Sequence, residues 1–247
     1  MRAVILAAGM GIRLRPLTYK IPKPLIKVDG ISLIERSLDH LNELKIKDVI
    51  IVLGYLNELF RKKIGKKYKE IQITYIYNPE YSTSGSMYSL SKTKESINDD
   101  IILLEGDLLY EKKALEILLN SPEPNEILVA PLSGSGDEVF ICVNNSNELT
   151  NLGKNINNKQ DAIGELVGIS KLSLDFLLAL YNKAQEDYER KKFLFHYEEV
   201  IFKLSKTYPI KCKLMEELNW IEIDNENDLL RAINVIYPKI KNKENLI

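Results

Sequence analysis

The chain is 247 residues long, with 34 Lys+Arg against 35 Asp+Glu and only two cysteines. That length suits one large α/β domain or a domain with a small lid, and the balanced charge supplies no global field to draw nucleic acid or an anionic membrane surface. Cys142 and Cys212 lack metal-ligand spacing, no apolar run reaches membrane-spanning length, and the start lacks the charged-then-apolar order of a signal peptide, so a cytoplasmic chain with reduced thiols is expected.

In chain order, the first feature is a short apolar run (Val4, Ile5, Leu6) that breaks into Ala7, Ala8, Gly9, Met10 and Gly11, with cationic side chains following at Arg13, Arg15, Lys20 and Lys23. This order predicts a strand opening into a loop that holds polyphosphate. Glycine lets backbone N–H groups approach an anion, while Arg and Lys neutralise phosphate charge as a fork and as a point. Leu14 stands where the dinucleotide fingerprint G-x-G-x-x-G needs glycine, and the Gly-Lys-Ser/Thr of a P-loop is missing, so neither of those loops is present.

Ser32 followed by Glu35 predicts a capping box opening a helix whose apolar face is Leu33, Ile34, Leu38, Leu41 and Leu44. Residues 49–53 are apolar at every position, as expected of a strand covered on both sides. A short helix over 56–64 follows, ending in lysines with no aromatic interleaving, which reads as a solvated helix end. Strands are predicted over 71–77 and 101–104 with a helix over 86–94 between them. Strand and helix alternating at this interval is the pattern of βαβ units, whose ligand sites lie at the carboxyl ends of strands. Tyr55, the 78–86 segment and Asp107 fall at such ends.

The second half is less regular. Strands are expected over 126–130, 139–143, 149–152 and 165–169, and helices over 172–189, 197–204 and 226–236, with the polar 153–161 segment a mobile loop. The organisation expected is one domain over 1–247, with a nucleotide-binding core in 1–130 and acceptor-binding elements in 131–247. The fold class is a Rossmann-like mixed, mostly parallel sheet flanked by helices.

Two acidic groups carry the chemistry. Asp107, after the 101–104 strand, points into the same crevice as the glycine loop, where a triphosphate needs a divalent cation; the alternative is an Asx turn. Glu105 falls, with a one-residue shift, on the opposite face and is assigned to the nucleotide. In the Trp220 to Asp224 stretch, Glu222 and Asp224 point one way while Ile221 and Ile223 point into the core. Convergent carboxylates repel unless a cation lies between them, although Asp224 or Asn225 can also cap the helix that follows.

The run Leu6-Ala7-Ala8-Gly9-Met10-Gly11-Ile12-Arg13-Leu14-Arg15-Pro16-Leu17-Thr18, followed by Pro22-Lys23-Pro24, resembles the signature loop of the nucleotidyltransferases that join a sugar phosphate or small alcohol phosphate to an NTP. Residues 78–90, 103–110, 135–140, 164–171, 197–198 and 220–227 extend the resemblance nearly end to end. They make the chain similar to the small cytidylyltransferases acting on amino-alcohol phosphates and phosphonates, above all the 2-aminoethylphosphonate type. The resemblance implies the nucleotide-diphospho-sugar transferase fold and Mg²⁺ held by Asp107, Glu222 and Asp224. It also implies in-line attack of an acceptor oxygen on the α-phosphorus of CTP, with pyrophosphate leaving. Arg13 would stabilise the β/γ-phosphates and Lys23 would bridge the α-phosphate and the incoming oxyanion, with Arg15 and Lys20 peripheral.

Nucleotide contacts are expected from Leu6, Ala7, Ala8, Gly9, Met10, Gly11, Tyr55, Asn78, Ser84, Gly85, Ser86 and Glu105. Acceptor contacts are expected from Asp137, Glu138, Glu165, Tyr197 and Glu198, because an ammonium group calls for carboxylates and an aromatic face. His196 is read as packing against or orienting Tyr197. An aminoethyl tail fits these groups, and phosphocholine or a phosphorylated amino-acid amide stays open, with Lys154 a cation for an extra carboxylate. A sugar 1-phosphate acceptor and a non-catalytic nucleotide sensor are the other readings. The partners expected are small molecules, without nucleic acid or membrane, for a monomer or homodimer.

Overall fold

The computed structural model describes residues 1–244. Its centre is the strand Arg2–Ala7, which pairs in parallel with Asp48–Leu53 on one side and Ile101–Glu105 on the other, while Ile71–Tyr77 extends the parallel set beyond Asp48–Leu53. Side chains of a strand alternate between faces, so a strand apolar throughout needs cover on both. Ala3, Ile5 and Ala7 accordingly join one hydrophobic core, and Val4 and Leu6 join the other.

The helix Leu33–Glu43 lays Ile34, Leu38 and Leu41 on the first face, and Asn57–Ile64 adds Phe60 there. On the opposite face lie Ser86–Ser91, with Met87 and Leu90, the helix Leu174–Glu189, and Tyr197–Leu204. Each of these fully buried side chains is worth about 1.5–3 kcal/mol relative to exposure. Ser32 does open its helix with a capping box: Glu35 N–H meets Ser32 Oγ, and Ser32 N–H meets Glu35 Oε2. Among the described residues no helix is long and apolar enough to cross a membrane.

Beyond Ile101–Glu105 the sheet turns antiparallel. Gly164–Leu172 pairs there and in turn carries Glu126–Ala130 and Phe140–Val143; Leu149–Gly153 follows Phe140–Val143, and Lys211–Leu214 runs parallel to Glu126–Ala130. The result is the mixed α/β sheet expected, parallel through its centre. Gly168 lies within the register shift between Leu166 and Ser170, at φ +82, a conformation that other residues rarely adopt. The kink brings its Cα side against the Glu105 carboxylate, 3.1 Å from where a Cβ would stand.

Several boundaries differ from expectation for local reasons. The long helix begins at Leu174, because Ser173 accepts the Phe176 N–H as its cap. The helix expected over 86–94 ends at Ser91, where Lys92 N–H turns back to Leu90 and Ser89. The closing helix is three pieces: Glu226–Arg231, a π-helical turn Ala232–Ile236, and Tyr237–Glu244. The polar stretch after Gly153 holds a short 3₁₀ turn, Lys159–Asp161.

From Arg2–Ala7 the chain builds outward through Asp48–Leu53 and Ile71–Tyr77, then returns to Ile101–Glu105 on the other side. Such a reversal opens a crevice at the carboxyl ends of the two central strands. The Gly106 N–H bonds Leu6 O at 2.9 Å across it, which ties the loop after one strand to the loop after the other.

Candidate active site

The glycine loop is held in shape from within. Gly11 sits at φ +58, and a Cβ there would stand 3.0 Å from Thr18 Cγ2 and 3.3 Å from Lys23 Cβ. Only glycine fits both the conformation and the space. Buried Thr18 donates its hydroxyl to Gly11 O at 2.7 Å, and the 3₁₀ turn Lys23–Leu25, framed by Pro22 and Pro24, holds Lys23 beneath the loop.

The Lys23 ammonium lies between two carboxylates, 2.5 Å from Asp107 Oδ2 and 2.6 Å from Asp224 Oδ1. Burial works against its charge, but Asp107, Asp224 and Glu222 outweigh burial and hold the ammonium above its ordinary pKa. Arg13 bridges Asp137 Oδ2 and Asp224 Oδ2, each at 2.8 Å, and Lys154 pairs with the other oxygen of Asp137. Burial opposes ionisation of Asp137, and Lys154 and Arg13 overcome it, holding that carboxyl below its usual range.

Carboxylate oxygens of Glu105, Asp107 and Glu222 lie within 4.8 Å of one another. The chain folds them together through a small antiparallel ribbon, Leu108–Tyr110 with Trp220–Glu222, continued by Ile223 N–H to Asp107 O at 3.1 Å. Ile221 and Ile223 are buried beneath it, so Glu222 faces the crevice as the alternation predicts. Burial drives Glu105 up to about 8, with Asp107 and Glu198 adding to the shift and the Tyr197 hydroxyl, 2.8 Å from Glu105 Oε1, opposing it. Burial, then Asp107, Glu105 and Asp224, push Glu222 well above the carboxylate range. Mutual repulsion of this kind is relieved by a cation. Asp107 Oδ1 is also buried without a hydrogen-bond partner among the described residues. Hard oxygen donors with one uncommitted buried oxygen fit Mg²⁺.

A cavity of about 400 Å³ runs from the glycine loop to this acid cluster. Leu6, Ala8, Gly9, Arg13, Ser84, Gly85, Ser86, Glu105, Asp107, Asp137, Glu198, Glu222 and Asp224 line it, all of them expected at the site. A smaller cleft beyond Arg13 is walled by Glu138 and Glu165, with the Glu165 carboxylate accepting Ser133 N–H at 2.5 Å. Those two line this cleft and not the main cavity, with Arg13, Asp137, Glu222 and Asp224 shared between the two.

The placement of other expected residues needs correcting. Tyr197 is fully buried, so it offers no ring face to a ligand and instead donates to Glu105. Asn78 is buried too, and its amide donates to Ser84 and Ser89, setting the turn behind the cavity wall. Ala7, Met10 and Gly11 shape the loop without lining the cavity, and Tyr55 packs beside Tyr81 with ring centroids 6.1 Å apart. Glu105 joins Asp107 rather than facing away. The two are separated by one residue at the strand's end, which returns them to one side. Asp224, placed with the metal ligands by sequence, is tied to Lys23 and Arg13. Tyr81, within the 78–86 segment but not singled out there, lines the cavity, and Gly168 and His196 line it unanticipated. Of these only Gly168 carries a readable signal, a glycine within a strand pattern.

His196 reaches the wall through a strap. Gly85 N–H bonds Phe193 O at 2.7 Å, and a Cβ on Gly85 would lie 2.0 Å from Phe195 O, so the strap rests directly on the Ser84–Ser86 turn. Tyr188 stacks on Phe193 and Phe195, with centroids 5.6 and 5.4 Å apart, and pins it there.

Residues 2–132 match the model of the nucleotidyl transferase family, and the chain belongs to that family. It is 36% identical over 138 residues to the CMP-5'-(3-aminopropyl)phosphonate synthase of Streptomyces rubellomurinus, a match covering 54% of this chain and 22% of that protein. The chain spans about half the length of the next two curated relatives it matches. Over 244 residues it is 25% identical to the choline-phosphate cytidylyltransferase of Haemophilus influenzae, covering 99% of this chain and 100% of that one. Its fold matches that of the inositol-1-phosphate CTP transferase from T. maritima, with a TM-score of 0.81 at 21% identity over 97% of this chain and 96% of that one.

Proposed function

We propose that the protein transfers CMP from CTP to a small acceptor carrying a phosphonate or phosphate at one end and a primary ammonium at the other, with 2-aminoethylphosphonate as the best-fitting acceptor. The division of labour proposed is nucleotide binding by residues 1–130 and acceptor binding by 131–247. An acceptor oxygen attacks the α-phosphorus in line and pyrophosphate departs, a reaction that asks for positioning and charge neutralisation and no covalent nucleophile. Arg13 takes up the charge of the leaving phosphates and Lys23 that of the α-phosphoryl group, each exchanging a carboxylate for a phosphate. Mg²⁺ held by Asp107 and Glu222, with Glu105 or the released Asp224, would supply charge neutralisation at the phosphates.

The observation that carries the ammonium is the charge left over at the cavity. Phosphates claim Arg13 and Lys23, a divalent cation claims the acid cluster, and Lys154 stays paired with Asp137. Glu198 remains, in the cavity wall, with Oε2 buried and without a hydrogen-bond partner among the described residues. An unpaired buried carboxylate is costly, and a cationic ligand tail relieves it. The named relatives are a synthase of CMP-5'-(3-aminopropyl)phosphonate and a choline-phosphate cytidylyltransferase, which supports an aminated acceptor. Among the described residues Tyr81 and His196 are the only aromatic rings lining the cavity, fewer than a quaternary ammonium cage calls for.

The test is pyrophosphate release with each NTP, Mg²⁺ and a panel of 2-aminoethylphosphonate, phosphoethanolamine, phosphocholine, phosphorylated amino-acid amides and hexose 1-phosphates. CTP with the primary amines should give the highest kcat/KM. Release confined to a hexose phosphate would overturn the reading, and silence with every pair would favour a nucleotide sensor.

A further inference from the structure

His196 is the cavity residue whose chemistry the proposed reaction leaves unused. Its backbone is fixed: the N–H donates to Glu199 Oε1 at 2.9 Å at the start of the helix Tyr197–Leu204. One edge of its ring is fixed as well, with Nδ1 lying 3.1 Å from Ser86 Oγ, which also accepts the Tyr197 N–H at 3.2 Å. Nε2 has no hydrogen-bond partner among the described residues, and the ring lines the main cavity. The imidazole is therefore held by one nitrogen and presents the other, two residues from the unpaired Glu198.

We propose that His196 is a specificity-determining residue that distinguishes a primary ammonium from a quaternary one. This rests on the aminated-acceptor reading above. A primary ammonium has three protons to place and a trimethylammonium has none. Glu198 takes one, and one carboxylate oxygen with a free lone pair does not satisfy the group. In the tautomer with Nδ1–H, which donates to Ser86 Oγ beside the Tyr197 N–H, Nε2 carries a lone pair at the cavity and accepts a second; a primary ammonium selects this tautomer over the one in which the Ser86 hydroxyl donates to Nδ1. Ser86 thus holds the ring by Nδ1 and His196 reads the ligand. Against a trimethylammonium the same lone pair gains nothing, and the polar nitrogen loses water without recompense. The strap seated on Gly85 fixes the backbone that carries the ring, and the Ser86 contact holds the ring itself.

The experiment compares kcat/KM for 2-aminoethylphosphonate and phosphocholine, with CTP and Mg²⁺, in the wild-type protein, His196→Phe and His196→Gln. Phe keeps a ring in the strap and has no lone pair, and Gln restores an acceptor. The ratio of kcat/KM for the primary over the quaternary acceptor should fall about tenfold in His196→Phe, the worth of one charge-assisted hydrogen bond, through KM with kcat little moved. His196→Gln should recover a large part of it. Equal losses on both acceptors in His196→Phe, or a ratio unchanged in a variant whose melting temperature matches the wild type, would overturn the proposal. If the wild type turns over phosphocholine but no primary amine, this inference fails while the cytidylyltransferase reading stands. If it turns over no aminated acceptor at all, the functional reading fails first.

Discussion

Lys23→Met removes the cation from between Asp107 and Asp224 while keeping the length and much of the volume of the side chain. The wild-type ammonium makes two short ion pairs, at 2.5 and 2.6 Å, with its own side chain 9% exposed and the two carboxylates 21% and 17% exposed. Breaking a buried pair costs about 3–5 kcal/mol, because the abandoned charge stays desolvated. The partial exposure of both acids argues for the lower end, about 3 kcal/mol. For a chain of this size that corresponds to a fall of roughly 6–12 °C in melting temperature. Magnesium should then act on the variant more than on the wild type. The unbalanced acids bind a divalent cation more avidly once Lys23 no longer competes, and at a hundredfold excess over Kd the metal returns about 2.7 kcal/mol. Thermal unfolding of both proteins in EDTA and across a MgCl₂ series reads the whole argument. A variant as stable as the wild type in EDTA, or an equal Mg²⁺ response in the two, would refute it. The variant should be inactive throughout, since the α-phosphoryl group loses its cation.

Three further outcomes are expected. Glu198→Gln should raise the KM for a primary-amine acceptor about 10–100-fold, far more than the KM for CTP, as initial rates with each substrate varied would show. Gly85→Ala should destabilise the protein by about 1–3 kcal/mol in urea titration, because its Cβ would collide with Phe195 O at 2.0 Å, and acceptor KM should rise as the strap lifts. His40 lies edge-on to Tyr110 with centroids 5.2 Å apart, and burial lowers its pKa from 6.5 to about 4. Between those values the unfolded chain takes up a proton that the folded one refuses, so the contribution is intact above about pH 6.5 and is lost as pH falls toward 4, by at most about 3 kcal/mol. His40→Gln should flatten that part of the wild-type pH–stability curve; parallel curves would contradict it.

Where local rules determine the outcome, the sequence was legible. The Ser32/Glu35 capping box, the strands apolar on both faces and the alternation Ile221/Glu222/Ile223 each follow from a periodicity or a short-range bond, and each is found. The crevice position of Asp107 follows from the βαβ pattern in the same way. Residues whose orientation is decided by distant packing were not legible. Tyr197 opens a helix, a position equally suited to a ligand contact or to a buried prop, and only the approach of Glu105 from the central strand decides between them. Asn78 sits at a strand's end like a ligand contact, yet turns inward because Ser84 and Ser89 wait there. His196 belongs to a strap set by stacking on Tyr188, a contact that no spacing encodes.

The ribbon that closes the acid cluster also bears on how the protein comes into being. The glycine loop and its cations lie near the start of the chain, whereas Glu222, Asp224 and the strand Trp220–Glu222 that seats against Leu108–Tyr110 lie near its end. During synthesis the parallel centre can form early from consecutive units, but Lys23 and Arg13 then stand beside only part of their counter-charge. They wait on a segment that the ribosome delivers much later. The counter-charge of the glycine loop is thus complete only once Trp220–Glu222 has paired with Leu108–Tyr110, which makes the site a clasp between segments 201 positions apart in the chain.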